Sequence, residues 1–214
     1  MTATDQRSVA PRRSRQSTRR RAGGSKVIGA IAGLALAAAA VGLQTFGLSA
    51  DDMAMPLTTV GAKGEEVSAQ RFSVRVDGVK SAKTIKSGDK TAVTDGLFLV
   101  IEVAATVPAE PIHLNPPILL TEDGRRFDAT DKVDKAKTLA NPWIQPGWWS
   151  SGAFVFEVPA AVLAGAKATF IAPTSAFYGE PLLPEAEIDL GIDEAAAKQL
   201  AAAPQDVYTL GEKK

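Results

Sequence analysis

"GLFLVIEVAATV", residues 96–107, carries apolar side chains at nearly every position, with Glu102 and Thr106 the only polar ones. A strand with one face in water alternates apolar and polar residues. A run apolar on both faces is what a central strand needs when it is covered on both sides. The stretch before it, "SGDKTAVTDG" (87–96), supplies turn chemistry through Gly88, Asp89, Asp95 and Gly96. The stretch before that, "QRFSVRVDGV" (70–79), alternates Phe72, Val74 and Val76 with Ser73, Arg75 and Asp77, and so predicts a strand with one wet face.

Working outward on the other side, "ILLTEDGRRFDA" (118–129) reads as a strand, a tight turn at Asp123-Gly124 and a return strand through Phe127. In "GAFVFEVP" (152–159), Phe154, Phe156 and Val158 share one face, with Val155 and Glu157 on the other. "KATFIA" (167–172) and "AEIDLGI" (186–192) close the series, with Ile188, Leu190 and Ile192 on one face. Only two short helices are predicted: one near "PAAVLAGA" (159–166), the other at "DEAAAKQLAAA" (193–203), where Asp193 caps the N-terminus. Short strands separated by Gly, Pro and Asp turns predict an all-β fold, an antiparallel β-sandwich.

The N-terminal region has a different character. Residues 1–26 carry eight Arg and Lys against Asp5 alone (+7), which leaves 16 basic against 23 acidic side chains (−7) for the remainder of a chain of zero formal net charge. The uncharged run Val27–Gly47 follows. At 1.5 Å per residue its 21 residues extend roughly 31 Å, about the hydrocarbon thickness of a bilayer. The expectation is one transmembrane helix over 27–48. Arginines crowd its N-terminal flank and Asp51 and Asp52 follow it, so the positive-inside rule places the N-terminus in the cytoplasm and the bulk of the chain outside the cytoplasmic membrane.

The competing reading is a secretory signal peptide cleaved near Ala50. Leu48 fits such a site poorly, and signal h-regions run about 7–15 residues. Gly29 and Gly33 form a small-xxx-small spacing of the kind at which another helix can approach, although an Ala-rich segment produces it readily by chance. Nucleic-acid binding is not expected from "RRSRQSTRRR" (12–21), which has no aromatic residue for stacking and lies beside a membrane span; attraction to anionic headgroups and topology account for it. The expected organisation is a basic arm over 1–26, the span at 27–48, a stalk over 49–66 interrupted by Pro56, Gly61 and Gly64, a sandwich over 67–192, and a C-terminal helix and tail over 193–214.

"GLFLVIEVAATVPAEPIHL" (96–114), "ILLTEDGRRFDAT" (118–130) and "IQPGWWSSGAFVFEVP" (144–159) together resemble a bacterial extracellular immunoglobulin-like domain family of unknown function. The resemblance spans about residues 68–172 and rests on Asp123-Gly124, Pro146-Gly147 and Phe156-Glu157-Val158-Pro159 in the family's order and spacing. It implies an immunoglobulin-like sandwich on a surface protein anchored by lipid or membrane helix, with no assigned activity. This chain departs from the pattern in having no cysteine to carry a lipid, and in having Pro108-Ala109-Glu110 where an Asn commonly follows the central strand.

Chemistry is sparse in the sequence. The absence of cysteine removes disulfides, thiolate metal sites and cysteine nucleophiles. His113, the single histidine, has no "GxSxG" serine to serve and no partner for a zinc site. Asp128, Asp131 and Asp134 recur at every third position, whereas an EF-hand loop needs every second, and Lys132, Lys135 and Lys137 interleave with them. A solvated loop or a helical turn of mixed charge is expected there.

No cofactor, no metal and no enzymatic activity are therefore expected. The partners expected are the membrane through 27–48 and unidentified envelope or membrane proteins. Three functional readings stand: an anchored interaction module, an accessory subunit of a larger membrane complex, and a small-ligand binder or enzyme, secreted if the N-terminal segment is cleaved. Trp143, Trp148 and Trp149 are the candidate contact residues. Adjacent residues of an extended segment face opposite ways, so at least one of Trp148 and Trp149 is expected to pack inward and the other to face a partner.

Overall fold

The doubly apolar run lies at the centre of the sandwich and is longer than its apolar stretch. A computed structural model describes residues 25–44, 50–174 and 180–211, with side chains from 28–42, 51–174 and 180–211. Strand β4 (Lys90–Thr106) begins well before Leu97 and pairs antiparallel with β3 (Ser73–Ser87) on one side and β7 (Ser150–Val158) on the other. Only Gly88 and Asp89 form the turn between β3 and β4, so most of the predicted turn stretch is strand. The Asp95-Gly96 signal marks a bulge instead: Ala82 pairs with Phe98 and Thr84 with Val93, leaving residues 94–97 opposite Lys83. Turn-forming residues serve bulges equally well, because both need an irregular backbone.

One sheet has the order β10-β3-β4-β7, where β10 is Gln205–Leu210, and β2 (Val67–Ser68) also pairs with β3. The other is β1 (Leu57–Ala62), β9 (Pro184–Asp189), β8 (Lys167–Ile171), β5 (Ile118–Leu120) and β6 (Arg126–Asp128), in that order. Their inner faces meet in one core: Val74, Val76, Leu99, Ile101, Phe154 and Phe156 from the first, Leu119, Phe170, Ala186 and Ile188 from the second. Phe154 and Phe170 bridge the layers edge to face, with centroids 6.2 Å apart. Ile188, Leu190 and Ile192 are all buried, as their shared face predicts.

Local signals formed as read in three places. The 118–129 segment makes the β5–β6 hairpin around Gly124, and its turn is tied by Asp123, which accepts bonds from Arg125 Nε (2.8 Å) and Thr121 Oγ1. Those two partners, Arg125 first, hold the Asp123 carboxyl at about 2. Helix α3 (Glu194–Ala202) starts where Asp193 Oδ1 accepts from the Ala196 amide at 2.7 Å. The second expected helix is a single 3₁₀ turn, Ala160–Val162.

Four expectations need correction. The stalk over 49–66 is largely structured: a short helix α2 (Ala50–Ala54) precedes β1, which runs parallel to β9 from Leu57↔Pro184 to Ala62↔Asp189. Five of its six residues are exposed, so backbone pairing rather than apolar periodicity makes it a strand. Gly61 is paired with Ile188 inside this strand, and a side chain there would displace Val67, since a Cβ would stand 2.3 Å from Val67 Cγ2. The tail is also partly strand: β10 lies parallel beside β3, from Gln205↔Ala82 to Leu210↔Ser87. The sandwich thus extends beyond 67–192 at both ends.

It is also not wholly antiparallel. Hairpins force antiparallel pairing, whereas β1 and β10 join partners remote in sequence and are free of that constraint. Finally, of the two readings of the charged segment, the helical turn forms at Lys135–Lys137 behind Asp134, and the solvated loop is instead a strap over 129–140. Val133 is buried over Phe98, Val100, Ala153 and Val155 on the outer face of the first sheet. The Thr130 amide donates to Val155 O (2.8 Å), the Asp134 amide donates to Ser87 Oγ (2.6 Å), and Lys132 pairs with Glu157 (2.7 Å).

Residues 1–47 form a separate N-terminal unit. It contains helix α1 (Ser25–Gln44), whose Ile28, Ile31, Leu34, Leu36 and Val41 are exposed. Among the described residues no helix is long and apolar enough to cross a membrane. The expected span of 27–48 runs past the described side chains at both ends, and the basic arm lies outside the described residues except at its junction with α1.

Two outcomes follow from the covered central strand. Phe98→Ala, which empties a fully buried site beneath the strap, is expected to lower unfolding free energy by about 3–5 kcal/mol in urea titration. The Glu157 carboxyl is held below its ordinary value first by Lys132 and then by Thr94. Its stabilisation is present above the unfolded Glu value of about 4.3 and is lost as pH falls through the lower folded one. Glu157→Gln should therefore flatten the acid limb of a stability-versus-pH curve below about pH 5.

Candidate functional site

The loop "NPWIQPGWW", residues 141–149, leads into β7, and its shape follows from which residue the core accepts. Ile144 is fully buried and pairs antiparallel with Ile112, the two exchanging amide-to-carbonyl bonds of 2.8 and 3.3 Å. Its neighbour Trp143 consequently faces out, with its ring 3.9 Å from that of His113, the residue flanking Ile112.

Next comes a turn over Gln145–Trp148, closed by the Trp148 amide donating to Gln145 O at 3.3 Å. Pro146 occupies its second position and Gly147 its third with φ +73°, the type II pattern that a side chain at the third position would strain. Pro146 also bridges to Val107 at the end of the central strand. The turn delivers Trp148 into solvent at 75% exposure, with Trp149 at 41% and Trp143 at 57%.

The expected burial of one member of the Trp148-Trp149 pair is therefore corrected. Alternation holds only where the chain is extended in the sheet, and β7 begins at Ser150. Before that point the turn governs direction, while Ile144, Leu139 and Val107 fill the core at this end. All three tryptophans of the chain are exposed on a single seven-residue stretch. Tryptophan is a residue type normally buried in large part, so the joint exposure of three is unusual.

Trp149 is held rather than loose. The Arg75 guanidinium lies over its ring, 5.2 Å from the centroid, and Asp77 Oδ1 accepts from Arg75 Nε at 2.6 Å. That hydrogen bond, and then the charge of Asp77, raises the Arg75 pKa. Beside the ring is a cleft of about 350 Å³. Its lining includes a row across three strands, Ser68↔Ser73 on β2 and β3 and Ser73↔Thr106 on β3 and β4, together with Glu66 and Gln70. Gln70 has φ +55°, an uncommon conformation for a residue with a side chain, in the tight turn between β2 and β3. The row could not be found in the sequence, because Ser68 and Thr106 come to flank Ser73 only through strand register.

A second polar cluster is structural. Glu102 Oε1 accepts from Lys80 Nζ (2.5 Å) and from Tyr208 Oη (2.9 Å), which ties β10 to the central strand. Burial first, and then Glu102, raises the Tyr208 pKa. Among the described residues no group of three His, Asp or Glu side chains converges to hold a metal ion. Asp134, one of the three spaced aspartates, caps the 3₁₀ turn Lys135–Lys137 by accepting from the Ala136 amide.

Several solved bacterial structures are similar to this chain. The yjhA protein of Bacillus subtilis has a TM-score of 0.46 and 16% identity, over 60% of this chain and 99% of that one. The ycdA protein of Bacillus subtilis has a TM-score of 0.44 and 20% identity over 66% of this chain, which spans only 42% of the ycdA chain. The secreted protein MPT63 of Mycobacterium tuberculosis has a TM-score of 0.43 and 16% identity, over 63% of this chain and 98% of that one. No family model and no curated protein matches the sequence.

The division of labour in the loop can be measured by chemical denaturation. Ile144→Ala should cost about 2–5 kcal/mol. Trp148→Ser should stay within about 0.5 kcal/mol of wild type and Trp149→Ser within about 1 kcal/mol, the latter losing its cation–π contact. A loss near 3 kcal/mol from either tryptophan would make it a core residue after all.

Proposed function

We propose that this chain is a non-catalytic, single-pass membrane protein whose sandwich lies outside the cytoplasmic membrane and binds a component of the bacterial envelope through the 141–149 loop. The observation that carries this reading is the joint exposure of Trp143, Trp148 and Trp149 beside a structured cleft at one end of the sandwich. A rigid two-sheet body that presents loops at its ends is suited to binding, since the core fixes the loop bases while the tips stay free. The motifs at Asp123-Gly124 and Pro146-Gly147 support placing the sandwich in the immunoglobulin-like extracellular family.

The anchor is read from sequence and charge. The uncharged run of 27–47 matches a bilayer in length, α1 covers most of it, and the basic flank favours a cytoplasmic N-terminus.

Topology and binding are tested together in cells expressing the full chain with an N-terminal tag. After wall removal, added protease should digest the sandwich and spare the tag, and alkaline carbonate should leave the chain in the membrane. Protection of the sandwich would reverse the topology, and release by carbonate would remove the anchor. Crosslinking in intact cells should yield an adduct that the Trp143→Ser/Trp148→Ser/Trp149→Ser variant lacks.

A further inference from the structure

We infer that the cleft between Trp149 and the β2–β3 turn is a subsite for a neutral carbohydrate chain. This deepens the reading of the 141–149 end as the binding surface, and rests on it. The chemistry comes from the floor of the cleft. Ser68, Ser73 and Thr106 form one row across β2, β3 and β4, and none of their hydroxyls makes a hydrogen bond among the described residues. Each hydroxyl is one donor and two acceptors with a free rotor, which is the same capacity that a sugar hydroxyl presents. Ser73 is buried as a residue, but its hydroxyl is not sealed off, since among the described residues no enclosed side-chain oxygen lacks a partner. Its unspent capacity opens into the cleft.

The walls match the rest of a sugar ring. A pyranose has an apolar C–H face and a polar rim, and an indole offers a flat apolar surface of the right kind for the face. Trp149 is pinned by Arg75 and Asp77 and still keeps 41% exposure. Gln70 and Glu66 also line the cleft: the Gln70 amide can both donate and accept, and the Glu66 carboxylate can accept from two hydroxyls. Gln70 holds its place at the cost of a left-handed backbone (φ +55°), which glycine would adopt without strain. At about 350 Å³ the cleft is comparable in volume to the ~300–1,000 Å³ of small-ligand sites, and it is open to solvent.

A lipid headgroup fits less well. Interfacial tryptophans that sit in a bilayer are accompanied by basic residues and continuous apolar surface. Here the floor is hydroxylic, and Glu66 and Asp77 put negative charge on either side of Arg75, which would repel anionic lipid.

The test uses the full chain in zwitterionic detergent, titrated with cellotetraose, maltotetraose, mannotetraose and the β-1,4 tetramer of N-acetylglucosamine, followed by tryptophan emission and calorimetry. At least one should bind saturably. Trp149→Ala, Ser73→Ala and Thr106→Val should each weaken that affinity by about tenfold or more, while Lys198→Ala, on the exposed side of α3, should leave it within about twofold. Gln70→Gly separates fold from contact: it should keep or raise the melting temperature and still weaken binding. Melting curves of all variants show that the fold survives.

Binding of none of the four, or binding indifferent to Trp149→Ala, overturns the inference. So does attachment to vesicles of phosphatidylglycerol without saccharide binding. If saccharide binding fails but the tryptophan-dependent crosslink in cells persists, the carbohydrate subsite is wrong and the binding end stands; if both fail, both are wrong.

Discussion

The structure depends on covering both faces of one strand. Between Leu97 and Val107, β4 turns Leu99, Ile101 and Val103 toward one side and Phe98 and Val100 toward the other, all of them buried. Each face left in water would forfeit about 1.5–3 kcal/mol for every large apolar side chain on it. The second sheet covers the inner face. The outer face is covered piecemeal by the 129–140 strap through Val133, and by β10 through Leu210 and Tyr208. The strap is charged along its length because its other side remains in water, and one of those charges, Lys132, is used to latch it to Glu157.

Glu102 is the one charge within the covered run, and its environment shows how such a group is tolerated. Lys80 and Tyr208 both bond to its Oε1, so the carboxylate is balanced and hydrogen-bonded where the strap ends. The same contact gives the C-terminal strand a side-chain anchor in addition to its parallel ladder. The polar group in the central strand thus marks the place where β10 attaches.

Packing and contact are assigned to different residues of the same loop. Ile144 supplies the apolar plug and Leu139 secures the strap beside it, so the neighbouring tryptophans have no role in the core. The Pro146-Gly147 turn then sets their direction. The result is a rigid base carrying an exposed aromatic tip, beside a hydroxyl row that the sheet itself holds in register. The proposed carbohydrate subsite needs this combination, because a floor built on strands cannot shift to meet the ligand and the ring that closes the cleft is already fixed by Arg75.

The sequence by itself determined what lies within about ten residues. Alternation at Phe72, Val74 and Val76, the doubly apolar run, the Asp123-Gly124 hairpin, the outward Glu157 and the Asp193 cap each depend on neighbours along the chain, through strand pleat or local hydrogen bonding. Tertiary structure alone decided the rest. β1 and β10 became strands by backbone pairing with partners far away in sequence, at positions where their own side chains stay mostly exposed and carry no periodic signal. Val133 became a core residue because the face beneath it needed a cover. Trp148 and Trp149 both turned outward because a type II turn, not strand alternation, sets the direction of that segment. Ser68, Ser73 and Thr106 became one row through register, which joins residues that no local pattern connects.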